Sequence, residues 1–367
     1  MTIVLYIALI GAGLLLAGWI YQQVGERLDA RRLPPPGEIR DGFHILRRGT
    51  AGPPIVLEAG IAATNLSWAS VLKYLPEDRL VIAYDRLGFG WSDSPNSPRT
   101  LDTLAADLLR VLDLAGVHEP AILAAHSFGG LIVRRFAQLY PARAAALVLL
   151  DPLEPIEWSD VAALQEAANE LRPPDKPRLQ DEPRLQGAVK PNGAATVRER
   201  TPEAAAEQRA ALLARGVMLS RRGILLARLG IVRFALALLV SGSRTLPKLL
   251  ARASTGRRST VTDRLVGEVR KMPAEVWPAV RAHWCLPRSF ATMAEYLDRL
   301  PGNCRQAAAI ELPASLPITV ISAGNTQDHI KVAHAAYATR HIVAAGSGHW
   351  VQLDAPELAA GEILRMQ

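Results

Sequence analysis

Cysteine is nearly missing from this sequence: Cys285 and Cys304 are alone among 367 residues. Two thiols can make one bridge but no disulfide framework, and their spacing suits no metal site. Aromatic residues are also scarce, at 5%. No basic run is interleaved with them, so a net charge of +7 and a pI near 9.7 come without a nucleic-acid-binding signature. The basic residues are mostly arginines scattered through alanine-rich stretches, which suits a solvated surface or one facing anionic lipid. A dinucleotide fingerprint is absent too, because Gly88-Phe89-Gly90 lacks a third glycine and a following helix start. No metal-ligand cluster occurs, and no cofactor is expected.

Charge itself is missing from residues 2–25, TIVLYIALIGAGLLLAGWIYQQVG; the first charged side chain is Glu26. The run matches the roughly 20 apolar residues that cross a bilayer. Tyr6, Trp19 and Tyr21 lie towards its ends, where amphipathic rings favour the interface. A cleaved signal peptide is the competing reading. The run lacks a basic n-region and exceeds a typical h-region, so an uncleaved single-pass membrane helix is expected. Arg27, Arg31 and Arg32 would hold the following flank, and the catalytic domain with it, on the cytoplasmic side.

What is present is ample apolar material, 49% of the chain. After the stiff spacer RRLPPPGEI come short apolar runs closed by turn signals: FHILRRG (43–49), PIVLEAG (54–60), LVIAYDR (80–86), AILAAHS (121–127), AALVLLDP (145–152), ITVISAG (318–324) and HIVAAGSG (341–348). Helical spacings of three and four separate them, over Leu101–Ala115 and Phe128–Tyr140. The alternation predicts an α/β fold with a mostly parallel central sheet and helices on both faces. Residues 154–305 show no strand run and read as a mainly helical insertion. Within them the repeat DKPRLQ/DEPRLQ (175–186) reads as a loop. The run GILLARLGIVRFALALLV (223–240), interrupted by Arg228 and Arg233, reads as an amphipathic helix over a pocket or on a membrane surface. The domains are expected at 1–33 (anchor and linker), 34–153 (core, first part), 154–305 (cap or lid) and 306–367 (core, second part).

One serine stands where chemistry could occur. ILAAHSFGG (122–130) resembles Gly-x-Ser-x-Gly with its first glycine missing. A serine attacking carbonyl carbons needs a sharp strand-to-helix turn, with small residues two positions either side. Gly129 supplies one and Ala125 adds only a methyl at the other. A serine capping a helix is the plain alternative. His126, adjacent to Ser127, is expected to be a structural neighbour.

The strand ends Ala59-Gly60, Asp85-Arg86 before Gly88 and Gly90, and GSGHW (346–350) surround that serine in the sequence pattern. With them the chain resembles the α/β-hydrolase superfamily, of the serine-nucleophile type with a membrane anchor and a helical cap, over about 34–153 and 306–367. The resemblance implies Ser127 as nucleophile, His349 as the base, and an oxyanion hole from the N–H groups of Phe128 and Ile61. It places the acid after the strand before the histidine strand, where Asp328 is the only carboxylate in ISAGNTQDH, one position later than usual; Asp151, closing VLLDP, is the alternative. His334 and His341 read as structural, Asp354 as a cap of the last helix, and the Asp85–Asp93 turn as structure. Asn65, Ser67 and Trp68 either line a pocket or pack a helix. The implied activity is hydrolysis of an ester of a small-molecule acyl substrate, and the anchored, basic chain with an apolar cap suggests that the acyl group is hydrophobic or lipid-like. Acyl transfer, peptide or thioester cleavage and perhydrolysis on the same triad, or a non-catalytic membrane scaffold, are the alternatives.

Overall fold

The computed structural model describes residues 2–156, 158, 161, 202–240 and 271–366. The 175–186 repeat lies outside the described residues. Helix α1 (Thr2–Arg32) precedes an eight-stranded sheet. Its strands are β1 (Glu38–Arg40), β2 (Phe43–Arg48), β3 (Ala51–Glu58), β4 (Arg79–Tyr84), β5 (Ala121–His126), β6 (Ala144–Leu150), β7 (Ile318–Ala323) and β8 (Arg340–Ala344). They lie in the order β1-β2-β4-β3-β5-β6-β7-β8, with β1 and β2 antiparallel to their neighbours and every other pairing parallel. The seven apolar runs read from the sequence are β2 to β8. The exposed, polar β1 has no such run and is an addition.

The central strands are near-continuously apolar because both faces are covered. In β5, Ala121, Leu123 and Ala125 join one core cluster, while Ile122 and Ala124 join the other. In β6, Leu147 and Leu149 alternate with Ala146, Val148 and Leu150 in the same way. Helix α3 (Leu101–Leu114) covers the first face with Leu101, Leu104, Ala105, Leu108, Val111 and Leu112, a stripe at helical spacing. Thr100 caps it, its hydroxyl accepting the Thr103 N–H at 3.3 Å. Helix α4 (Gly129–Leu139) lies beside it. Short α2 (Ala69–Leu72), with Trp68 and Val71 beneath, and C-terminal α11 (Pro356–Arg365) cover the other face.

The described parts of the β6–β7 connection are helical: α5 (Pro202–Arg228), α6 (Ile231–Val240), α7 (Trp277–Trp284) and α8 (Pro287–Ala308). The 223–240 run is two helices, not one. It breaks at Leu229-Gly230, where Gly230 takes φ +69° and a Cβ would lie 2.6 Å from the Gly18 carbonyl oxygen. Arg233 is buried against α1, donating to Gln22 Oε1 at 3.1 Å and pairing with Asp29, so it faces neither a pocket nor lipid. Two further helices follow β7 and β8: α9 (Asp328–Tyr337) and α10 (Val351–Asp354). Cys285 and Cys304 are buried thiols, not joined in a disulfide. Helix α1 is long and apolar enough to cross a membrane, with a mean hydropathy of 2.4 in its most apolar window.

Candidate active site

Ser127 sits in the tight turn between β5 and α4 with φ +51°. L residues rarely adopt this left-handed conformation, which costs about 1–2 kcal/mol unless the surroundings enforce it. Here they do. The Ser127 N–H donates to Leu150 O at 3.1 Å, and its carbonyl accepts from Gly130 at 2.9 Å and Leu153 at 3.1 Å. The turn also presses on its neighbours: a Cβ at Gly129 would lie 2.7 Å from Ala59 O, and one at Gly60 would lie 2.7 Å from His126 Nδ1. Ala125 is fully buried in the core, so its methyl fits where the usual glycine is missing.

His349, in the loop between β8 and α10, brings Nε2 to 3.0 Å from Ser127 Oγ. Its Nδ1 lies 2.7 Å from Asp151 Oδ2. A carboxylate only accepts, so Nδ1 carries the proton and the Nε2 lone pair faces the serine hydroxyl. The expectation that Asp328 orients this histidine is corrected. Asp328 opens α9 with a side chain 99% exposed, and its partner is Lys331. The β7–α9 loop instead turns Thr326 inward, and its hydroxyl donates to Asp151 Oδ1 at 2.5 Å. The Ala323 N–H donates to the same oxygen at 3.0 Å. Asp151 closes β6, which pairs directly with β5 in the sheet, so its carboxylate is near the serine end. Burial opposes its charge, but the hydrogen bonds from His349, Thr326 and Ala323 outweigh it and hold the carboxyl below its usual range.

The histidine loop is held from two sides. Buried His126 donates from Nε2 to His349 O at 2.9 Å, and its ring lies 4.8 Å from that of His349. Burial, reinforced by the neighbouring His349, pushes His126 down to about 3, so it stays neutral. Asp354 is corrected as well. It ends α10 and accepts the Gly348 N–H at 2.8 Å and Lys271 Nζ at 2.8 Å. The last helix starts at Pro356 with Ala355 at its N-cap, so no side chain caps it. Asp354 therefore anchors the residue before His349.

Phe128 follows the serine in the elbow, and Ile61 follows the β3 turn at Gly60, where a Cβ would lie 3.5 Å from Ser127 Cβ. Among the described residues no acceptor takes either N–H. Arg86, buried below β4, governs the second of them. Its Nη1 donates to Ala59 O at 2.6 Å and its Nη2 to Gly60 O. The Gly60–Ile61 peptide is planar and trans, so fixing that carbonyl turns the Ile61 N–H the opposite way. Glu58 holds Arg86 through Oε1 at 2.5 Å and accepts the Tyr84 hydroxyl on its other oxygen. The expected purely structural role of the Asp85–Asp93 turn holds for Asp85, which binds His44 at 2.9 Å and the Trp91 N–H at 3.1 Å. Arg86 instead reaches the site. Asn65 serves the same turn by donating to Asp85, while Ser67 and Trp68 pack into the interior.

Tyr296 of α8 lies over the elbow, 5.4 Å from the Phe128 ring. His334 and His341 meet away from the serine, on Ser322. Burial keeps His334 below its usual range and thus neutral. Its Nε2–H donates to Pro152 O at 3.0 Å, so Nδ1 accepts the Ser322 hydroxyl at 2.7 Å. No group of three or more potential metal ligands occurs among the described residues.

A strand-turn-helix serine, a histidine after the last strand and a carboxylate bound to it define a hydrolase-like site on a parallel sheet. The alpha/beta hydrolase fold model matches residues 53–356, and the chain belongs to that family. Curated relatives include lipase LipV of Mycobacterium tuberculosis, 35% identical over 126 residues, which are 34% of this chain and 47% of LipV. RutD of Azorhizobium caulinodans is 38% identical over 101 residues, 28% of this chain and 38% of its own. The chain thus spans less than half the length of these relatives. An α/β-hydrolase-fold protein from Burkholderia ambifaria shares the fold with a TM-score of 0.53 at 17% identity, covering 89% of this chain and 96% of its own.

Proposed function

We propose that the protein is a membrane-anchored serine hydrolase that cleaves esters of hydrophobic acyl groups. The observation that carries this reading is the continuous line Ser127 Oγ–His349 Nε2 at 3.0 Å and His349 Nδ1–Asp151 Oδ2 at 2.7 Å. In this reading His349 takes the hydroxyl proton as Ser127 attacks the acyl carbon. The ester carbonyl oxygen becomes an oxyanion facing the Phe128 and Ile61 N–H groups. His349 then returns the proton to the departing alcohol, leaving an acyl-serine. Water, deprotonated by the same imidazole, releases the acid and restores the hydroxyl. Asp151 stays ionised throughout, holding the tautomer and stabilising the imidazolium.

Residues 154–305 are read as the cap, with Tyr296 over the elbow, and α1 as the anchor that leaves the catalytic domain on the cytoplasmic side. The exposed apolar stretch of α1 and the similarity to a lipase support a substrate that partitions into lipid. The test is hydrolysis of 4-nitrophenyl esters of increasing acyl length by the full chain in detergent or bilayers. The expected result is kcat/KM rising with acyl length, with Ser127→Ala at the uncatalysed background. Equal turnover by Ser127→Ala would overturn the reading.

A further inference from the structure

Helix α1 does not stand apart from the catalytic domain. From Thr2 to Ala17 its side chains are almost wholly exposed. At Gly18 it meets the α5–α6 corner so closely that a Cβ there would collide with the Leu229 carbonyl oxygen. One turn on, Gln22 is fully buried, donating to Cys285 O at 2.8 Å and accepting from Arg233. Arg233 also grips Asp29. The outward side of this clasped half remains apolar and exposed at Trp19, Ile20, Tyr21, Val24 and Leu28.

Lengths then decide where the corner sits. A bilayer core of about 30 Å takes about 20 helical residues. Thr2 to Gly18 provides only about 24 Å at 1.5 Å per residue. If α1 spans the bilayer, the clasp falls within the last turns of the span, and the α5–α6 corner must lie at the headgroup level. That corner has the composition for it. Leu225, Ile231 and Phe234 are exposed, and Arg221, Arg222 and Arg228 share the exposed face of α5 with Leu225 at spacings of three and four. Asp298 is the carboxylate in the groove beside Arg221 and Arg222, which leaves that face net basic.

We propose that the α5–α6 corner is an interfacial seat for an anionic bilayer surface, with Leu225, Ile231 and Phe234 entering the headgroup boundary and the three arginines facing lipid phosphates. The seat rests on the reading of α1 as a membrane anchor. It would bring the cap to the membrane: α5 packs along α8, whose Tyr296 covers the elbow. An apolar ester could then pass from the lipid to the cap without crossing bulk water.

The test uses the full chain in nanodiscs of phosphatidylcholine with phosphatidylglycerol. An environment-sensitive NBD label is placed at Phe234→Cys or, as a second position, Leu225→Cys, and a further label at Leu9→Cys reports the anchor. The buried Cys285 and Cys304 stay unlabelled in the folded protein, checked by mass spectrometry. The expected result is blue-shifted emission at both corner positions and quenching by headgroup-level nitroxide lipid. Arg221→Gln/Arg222→Gln/Arg228→Gln, or pure phosphatidylcholine, should reduce that quenching. A quenched Leu9 label with water-like corner labels would overturn the seat and leave the anchor standing. Water-like labels at all three positions would overturn both. Blue-shifted corner labels that no nitroxide lipid quenches would mean a protein covers the corner, and would also overturn the seat.

Discussion

At the scale of single residues, the serine and the histidine could be read from the chain because their signals are local. Ser127 is flanked by small residues that a left-handed elbow requires, and His349 follows the last apolar run. The acid had no such local signal. Asp151 and Asp328 both follow neighbouring strands, β6 and β7, and only the side-chain path of the β7–α9 loop decides between them. Thr326 turns in and Asp328 turns out. Asp151→Asn is therefore expected to lower kcat by on the order of 10³–10⁴, the scale of removing a triad carboxylate. Asp328→Asn should stay within about twofold, as fits an exposed surface change. Steady-state kinetics on one ester decides, and the reverse ranking would reinstate Asp328. Arg86 gave no signal in the sequence because its contacts near the site are to the backbone carbonyls of Ala59 and Gly60. Arg86→Met should lower kcat by about 10²-fold, the effect of losing one oxyanion donor, and leave KM nearly unchanged. It also leaves Glu58 buried without its cation, at a cost of about 3–5 kcal/mol. Adding Glu58→Gln should restore much of the melting temperature but not kcat. Recovery of both together would reduce Arg86 to a purely structural role.

At the scale of elements, the sequence exposed what periodicity can carry. Strands β2 to β7 and helices α3 and α4 announce themselves because each buries a continuous face or stripe, whereas edge strand β8 is legible from its apolar composition alone, with only Ala344 buried. Strand β1 does not, being three exposed residues on an edge. The α5–α6 break escaped notice because a long apolar run with two arginines looks the same whether one helix or two. Its local sign is Gly230, whose positive φ ends α5, while the Gly18 carbonyl packed against it lies 212 positions away (230 − 18) in the chain. Asp354 shows the same limit: next to a helix start it looks like a cap, but α10 turns it back to the Gly348 N–H. Asp354→Ala is expected to loosen the His349 loop, lowering kcat by about 10-fold, close to the low end of the roughly 1.5–3 kcal/mol of one lost hydrogen bond to a charged acceptor. Amide exchange should rise at Gly348 and His349 and stay unchanged in β5. Unaltered exchange at those two amides would contradict this role.

At the scale of the whole molecule, buried histidines link stability to acid. Burial is the main cause that pushes His126 to about 3 and His283 to about 4, from a usual 6.5. Between 6.5 and those values the unfolded chain binds protons that the folded chain refuses. Stability is thus full above about 6.5 and falls as the pH drops, by up to about 1.4 kcal/mol per pH unit for each histidine. Asp151, held low, adds its contribution above its unfolded value and loses it only at more acid pH. Melting temperature should decline from pH 7 to pH 4, and His126→Gln, which keeps a donor for His349 O, should flatten the slope by about one proton. A slope unchanged by that substitution would show that His126 titrates normally. The reaction itself is tested most directly by covalent trapping. A fluorophosphonate probe added to the full chain should form a single adduct, mapped by peptide mass spectrometry to Ser127 and lost in Ser127→Ala and His349→Ala. A folded wild-type protein that stays unlabelled, or an adduct that maps elsewhere, would contradict the Ser127–His349–Asp151 assignment.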